Sequence, residues 1–119
     1  MTRGRGAHFS GIAAEEIAER LYRAEGAELV ARRWRCPEGE IDLILRSGGW
    51  LIFVEVKARR GHGEAAAAIS PAQWRRIGAA ASRFLAEATD GSVPCRFDVV
   101  LVDRSGVAER IENAASFDA

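Results

Sequence analysis

Lys57 is the only lysine in the chain; the other sixteen of its seventeen basic residues are arginine. It closes the run Phe53-Val54-Glu55-Val56-Lys57, and a second acidic run, Glu40-Ile41-Asp42, lies just upstream. Arginine is a planar, permanently charged fork, whereas lysine is a compact ammonium whose pKa moves readily on burial. A chain that otherwise uses arginine is expected to keep lysine where a small point charge must sit beside a reacting atom. Two carboxylates and an ammonium are also the parts needed to hold a divalent cation next to a phosphoryl group.

Strand register brings these residues together. Residues 41–46 and 50–58 read as apolar, β-branched strands joined at Ser47-Gly48-Gly49 by a tight glycine turn. With Gly48-Gly49 at the tip, Ser47 faces Trp50, Leu45 faces Ile52 and Leu43 faces Val54. The same count sets Asp42 opposite Glu55 and Glu40 opposite Lys57. Side chains alternate with period two, so these four charged groups are expected on one face and Ile41, Leu43, Val54 and Val56 on the other.

Two carboxylates directly opposite repel by roughly 3 kcal/mol at ~5 Å and an effective dielectric near 20. Favourable cross-strand pairs return only about 0.2–1 kcal/mol. Either the face is solvated, with a Glu40–Lys57 ion pair, or a cation neutralises Asp42 and Glu55. Ile44, Leu51 and Phe53 continue the face as apolar residues, which puts the acids at the end of a buried strand pair and favours the cation.

The elements that must position this pair follow the hydrophobic pattern. Residues 1–10 read as a flexible basic arm and residues 11–119 as a single domain. An amphipathic helix is expected over 11–25, with Ile17, Leu21 and Ala24 at its centre, Ala14 and Ala18 beside them, and Glu15 at the flank. Residues 27–36 form a first strand, and Pro37-Glu38-Gly39 turns into the Glu40 strand. Ser70-Pro71 starts a helix to about residue 88, Ser as cap and Pro in the first turn. Residues 96–102 form an apolar strand, and residues 111–117 are left without an assigned element. The fold class is α/β: helix, three strands, helix, strand, with a mixed sheet covered on both faces.

Composition bounds the rest. At 119 residues, 48% hydrophobic and 29% charged, this is an ordinary globular composition. No apolar run approaches the roughly 18 residues needed to cross a membrane, and residues 1–11 lack the apolar core of a secretory signal. Cys36 and Cys95 match no metal spacing, so reduced thiols and a cytoplasmic location are expected. Net charge is zero, which argues against indiscriminate coating of nucleic acid. Yet arginines cluster at Arg3/Arg5, Arg32/Arg33/Arg35, Arg59/Arg60 and Arg75/Arg76. His62 is assigned no role, and Trp74 is read as core.

Gly39-Glu40-Ile41-Asp42-Leu43-Ile44, Phe53-Val54-Glu55-Val56-Lys57-Ala58-Arg59 and Arg96-Phe97-Asp98-Val99 together resemble the YraN-like family of small bacterial proteins. That family belongs to the restriction-endonuclease-like superfamily, related to archaeal Holliday junction resolvases. The resemblance runs from Gly11-x-x-x-Glu15-x-x-Ala18 to Ile111-Glu112-Asn113-Ala114. It implies an αβββαβ core, a mixed central sheet flanked by helices on both faces, and metal-dependent endonuclease activity on DNA, branched or otherwise structured DNA included. Asp42, Glu55 and the Val56 carbonyl would bind Mg²⁺ or Mn²⁺, and Lys57 would orient or help deprotonate the attacking water. Glu15 matches the family's helical carboxylate, with Glu40 the alternative ligand. Arg59, Arg60, Gln73 and Arg35 are the expected nucleic-acid contacts. DNA is the implied partner and a homodimer the implied assembly; a membrane is not. Two departures bear on substrate positioning. Gln73 falls in a segment where relatives often carry Lys, and Arg33 stands where Asn commonly precedes the aromatic–Arg pair. A noncatalytic nucleic-acid-binding module of the same fold, or a protein scaffold, are the competing classes.

Overall fold

A computed structural model describes residues 2–58 and 69–115, with side chains from residue 11 onward. The elements are α1 (Thr2–Ala24), β1 (Glu28–Cys36), β2 (Gly39–Ser47), β3 (Trp50–Ala58), α2 (Pro71–Ala88), β4 (Cys95–Val102) and β5 (Ala108–Ala115). The strands form one sheet in the order β1-β2-β3-β4-β5. Only β3 and β4 run parallel, with α2 as the crossover between them; the other neighbours are antiparallel. The fold is the α/β arrangement expected, extended by β5.

The hairpin register is as expected from Ser47–Trp50 to Leu43–Val54, and the Asp42–Glu55 and Glu40–Lys57 pairs expected beyond it are not part of the ladder. Gly48 and Gly49 both have positive φ (57° and 85°), the backbone that a two-residue hairpin turn requires. Ser47 pairs with Trp50, Leu45 with Ile52 and Leu43 with Val54. α2 likewise opens where Ser70 and Pro71 place it: the Gln73 N–H donates to the Ser70 hydroxyl at 3.1 Å.

One apolar layer lies under each helix. Beneath α2, Phe53 meets Phe84 edge-on and stacks on Phe97, and Trp34 meets Phe84 edge-on. Trp74 packs against this cluster, as expected. Beneath α1, Leu43, Leu45, Ile52, Val54, Val56 and Val100 meet Ala14, Ala18 and Tyr22. The buried stripe of α1 is therefore Ala14-Ala18-Tyr22; Ala24, expected at its centre, is exposed. Small side chains at i and i+4 bring the helix axis close to the sheet, and that decides which stripe faces inward. α1 also begins at Thr2, ahead of residue 11. The backbone of residues 2–10, expected as a flexible arm, is thus helical, because an apolar stripe marks where a helix packs and not where it starts.

A second difference matters for the site. Ile41 was expected beside Leu43, yet it packs with Ile44 under α2. Ala31 and Trp34 of β1, also three apart, share that side. Both strands skip one step of alternation at the same level, where Arg33 of β1 has φ 49°. This is the left-handed region, uncommon for any residue but glycine and costly for most side chains. The paired β2–β3 ladder ends at Leu43–Val54, immediately above Asp42.

Asp98 is fully buried and ties α1, β4 and β5 together. Its carboxylate accepts from the Tyr22 hydroxyl at 2.7 Å, from Arg96 Nε at 3.1 and 3.2 Å, and from the Asn113 N–H at 3.0 Å. Burial, then Asp98, pushes the Tyr22 hydroxyl pKa up, so the phenol stays a donor. Tyr22→Phe removes one of these charged hydrogen bonds and is expected to cost about 1.5–3 kcal/mol in urea unfolding. A loss below about 0.5 kcal/mol would show the contact to be incidental.

Candidate functional site

The end of the β2–β3 pair is opened by Asp42 itself. Where the ladder stops, the Val56 N–H donates to Asp42 Oδ2 at 2.8 Å, a side chain replacing a strand carbonyl. That bond fixes the Glu55–Val56 peptide relative to both acids, and the Val56 carbonyl is the next one along the strand. Glu55 is buried and accepts from Gln73 Nε2 at 2.7 Å. Lys57 Nζ lies 3.8 Å from Glu55 Oε2, its side chain about one third exposed. A cavity of about 310 Å³ holds the pair, lined by Gly39, Glu40, Asp42, Glu55, Gln73 and Arg76, with Ile77 beneath.

Gly39 accounts for how α2 comes so near. A Cβ there would meet the Arg76 carbonyl oxygen at 3.1 Å and its Cβ at 3.3 Å. A side chain there would push the first turns of α2 back from the start of β2 by a few tenths of an ångström, and α2 is the element that carries Gln73 to Glu55.

The electrostatics are strained in the expected sense. Burial raises the Asp42 pKa, opposed by its bond from Val56 and reinforced by the charge of Glu15. Burial, then the charge of Asp42, pushes Glu55 up to about 8, while Lys57 pulls it down. Glu55 thus holds a proton more tightly folded than unfolded. Between its ordinary value of 4.5 and about 8 the folded chain binds more protons, so its stability falls as pH rises across that window. The contribution is complete below the lower limit and gone above the upper one. Chelator-treated protein is expected to lose on the order of 2 kcal/mol between pH 5 and pH 9 by chemical unfolding. Glu55→Gln should flatten that slope; an unchanged slope would assign it to other groups.

Other expected site residues have different partners. Glu15 accepts from Arg33 Nε at 2.8 Å; it reaches Asp42 through its field. Glu40 accepts from Arg35 Nε at 2.6 Å, so the Glu40–Lys57 ion pair is not formed. The reason is the skipped alternation: β1 and β2 pair Arg35 with Glu40, whereas the β2–β3 ladder has already ended. Arg35, expected on nucleic acid, is engaged by that acid, and Gln73, expected there too, holds Glu55. Arg59, Arg60 and His62 lie outside the described residues. Arg33 is marked in the sequence only as standing where relatives carry Asn, and Arg76 not at all as a site residue. The only local mark of Arg76 is its place in the Arg75/Arg76 pair, and the Gly39 contact that seats it is visible only in three dimensions.

The residues fit a hard divalent cation in a particular way. Among the described residues no group of three or more His, Cys, Asp or Glu side chains converges as a metal cage. Mg²⁺, however, retains several waters and is commonly held by one or two carboxylates. Asp42, half-buried, and Glu55, buried beside it, offer that number.

A helix, three antiparallel strands, a crossover helix and a parallel strand, carrying Asp on β2 and Glu-x-Lys on β3, define a restriction-endonuclease-like protein. The chain belongs to the uncharacterised protein family UPF0102, the YraN-like family, whose model matches residues 14–102. A UPF0102 protein of Ruegeria sp. (strain TM1040) is 54% identical over 113 residues, 94% of this chain and 91% of the relative. One of Ruegeria pomeroyi is 50% identical over 114 residues, 95% and 93% of the two chains. One of Cereibacter sphaeroides (strain ATCC 17029 / ATH 2.4.9) is 48% identical over 112 residues, 93% and 96%. Among the described residues no helix is long and apolar enough to cross a membrane.

Proposed function

We propose that the protein is a metal-dependent endonuclease hydrolysing phosphodiester bonds in DNA, structured DNA included. The observation that carries this reading is the meeting of half-buried Asp42 and buried Glu55 in one cavity, with Glu55 pushed up to about 8. A structural ion network would pair these acids with cations. Here they face each other, and the nearest ammonium, Lys57, stays partly exposed.

In this reading Asp42, Glu55 and the Val56 carbonyl would hold Mg²⁺ or Mn²⁺. Such an ion supplies Lewis acidity toward the phosphoryl oxygen and makes water acidic enough to attack at neutral pH. The chain's own groups do the rest. Gln73 keeps the Glu55 carboxylate in one orientation through its 2.7 Å bond. Asp42, anchored on the Val56 N–H, cannot rotate away from Glu55. Lys57 places positive charge where negative charge develops on the phosphate and the attacking oxygen. Glu15, held by Arg33, adds negative field near Asp42.

Purified protein with Mn²⁺ on four-way junction, flap, single-stranded and duplex DNA tests the reading. Cleavage lost in both Asp42→Ala and Lys57→Ala supports it; variants that match the wild type on every substrate sink it. The Glu15–Arg33 pair favours a second reading, a nucleic-acid-binding module without turnover, since the helical carboxylate is already neutralised. That reading expects salt-sensitive binding, indifferent to chelator, and no cleavage.

A further inference from the structure

The cavity holding Asp42 and Glu55 is lined by three carboxylates, the third being Glu40, and by one basic residue, Arg76. A phosphodiester entering it carries negative charge toward three acids and needs a cation on that side. The other nearby arginines are engaged: Arg35 by Glu40, Arg33 by Glu15 and Arg32 by Glu19. Arg76 is exposed and ion-pairs with no carboxylate among the described residues.

Its place is set by backbone packing. Gln73 and Arg76 are three apart on α2 and so share one face, and Gln73 is already on the Glu55 carboxylate at 2.7 Å. The Gly39 contact presses the Arg76 backbone against the start of β2, three residues before Asp42. A guanidinium anchored at its root and open to solvent at its tip is suited to grip phosphate oxygens in two-pronged fashion.

We propose that Arg76 contacts the phosphodiester backbone of the substrate beside the Asp42–Glu55 pair, and so sets which bond lies over it. This deepens the endonuclease reading and rests on it. Arg75, the next residue and also exposed, points away by about 100° of helix rotation and does not line the cavity, which makes it the internal control.

The test measures binding of a labelled four-way junction and a labelled duplex by the Asp42→Asn protein across a salt series, so that turnover does not intervene. Adding Arg76→Gln is expected to weaken binding about 10-fold and to lower the slope of log affinity against log salt by about one phosphate contact. Arg76→Lys should restore most of the slope, and Arg75→Gln should change neither quantity. Arg76→Gln should leave the melting temperature in place, because the side chain is exposed. Equal effects of Arg75→Gln and Arg76→Gln, or none from either, overturn the assignment of Arg76 while leaving the endonuclease reading intact. Absence of binding to both DNAs at low salt, in wild type as well as Asp42→Asn, removes that reading and Arg76 with it.

Discussion

Asp42→Asn is expected to weaken Mn²⁺ or Mg²⁺ binding by more than ~100-fold, and to raise the melting temperature of the metal-free protein at pH 8. The two effects have one origin. An asparagine carbonyl can still accept the Val56 N–H, which Asp42 takes at 2.8 Å, so the opened end of the strand pair keeps its geometry. The negative charge facing Glu55 disappears. Glu55, held up to about 8 partly by that charge, then returns toward its ordinary range, and the cost of ionising it folded shrinks. A gain of about 1–2 kcal/mol corresponds to a rise of roughly 3–8 °C for a domain near this size. Losing a ligand instead costs more than the 10–100-fold seen when outer-shell partners of metal ligands are removed. Calorimetric titration on both proteins, with thermal unfolding in chelator, reads both quantities. A less stable Asp42→Asn at pH 8 would mean that the acids are mutually supported, as in a structural network, and the metal reading would lose its basis.

Lys57→Arg should lower metal-dependent cleavage by about 10²–10³-fold, mainly in kcat, and leave stability within about 0.5 kcal/mol of wild type. Lys57 is about one third exposed and 3.8 Å from Glu55, so a longer cation can be housed without disturbing the core. Guanidinium spreads its charge over a plane and does not give up a proton near neutral pH. It therefore cannot stand as a compact charge beside an attacking oxygen. Full activity in the arginine variant would falsify the role given to Lys57, and would leave its solitary place among sixteen arginines without a chemical reason.

Much of the frame was legible in the residues because local rules act there without competition. Gly48-Gly49 demands a two-residue turn, and period-two alternation then sets the Leu43–Val54 register. Ser70-Pro71 is a helix start in almost any context, and α2 begins at Pro71. β5 was not legible, since Ala108-Glu109-Arg110-Ile111-Glu112-Asn113 has weak strand preference. It is a strand because β4 presents an open edge to pair with. α1 packs through Ala14, Ala18 and Tyr22 because closeness to the sheet outweighs side-chain size.

What the residues by themselves determined was the composition of the candidate site: Asp42, Glu55 and Lys57, brought to one end of a hairpin by a turn and a count of two. What only the tertiary structure decided was which charges cancel and which remain. The skipped step at Arg33 and Asp42 sends Glu40 to Arg35 and Glu15 to Arg33, and the Gly39–Arg76 contact delivers Gln73 to Glu55. Charge pairing depends on distances of a few ångströms between groups far apart in the chain. Burial, which no local pattern measures, converts two ordinary acids into a pair short of positive charge.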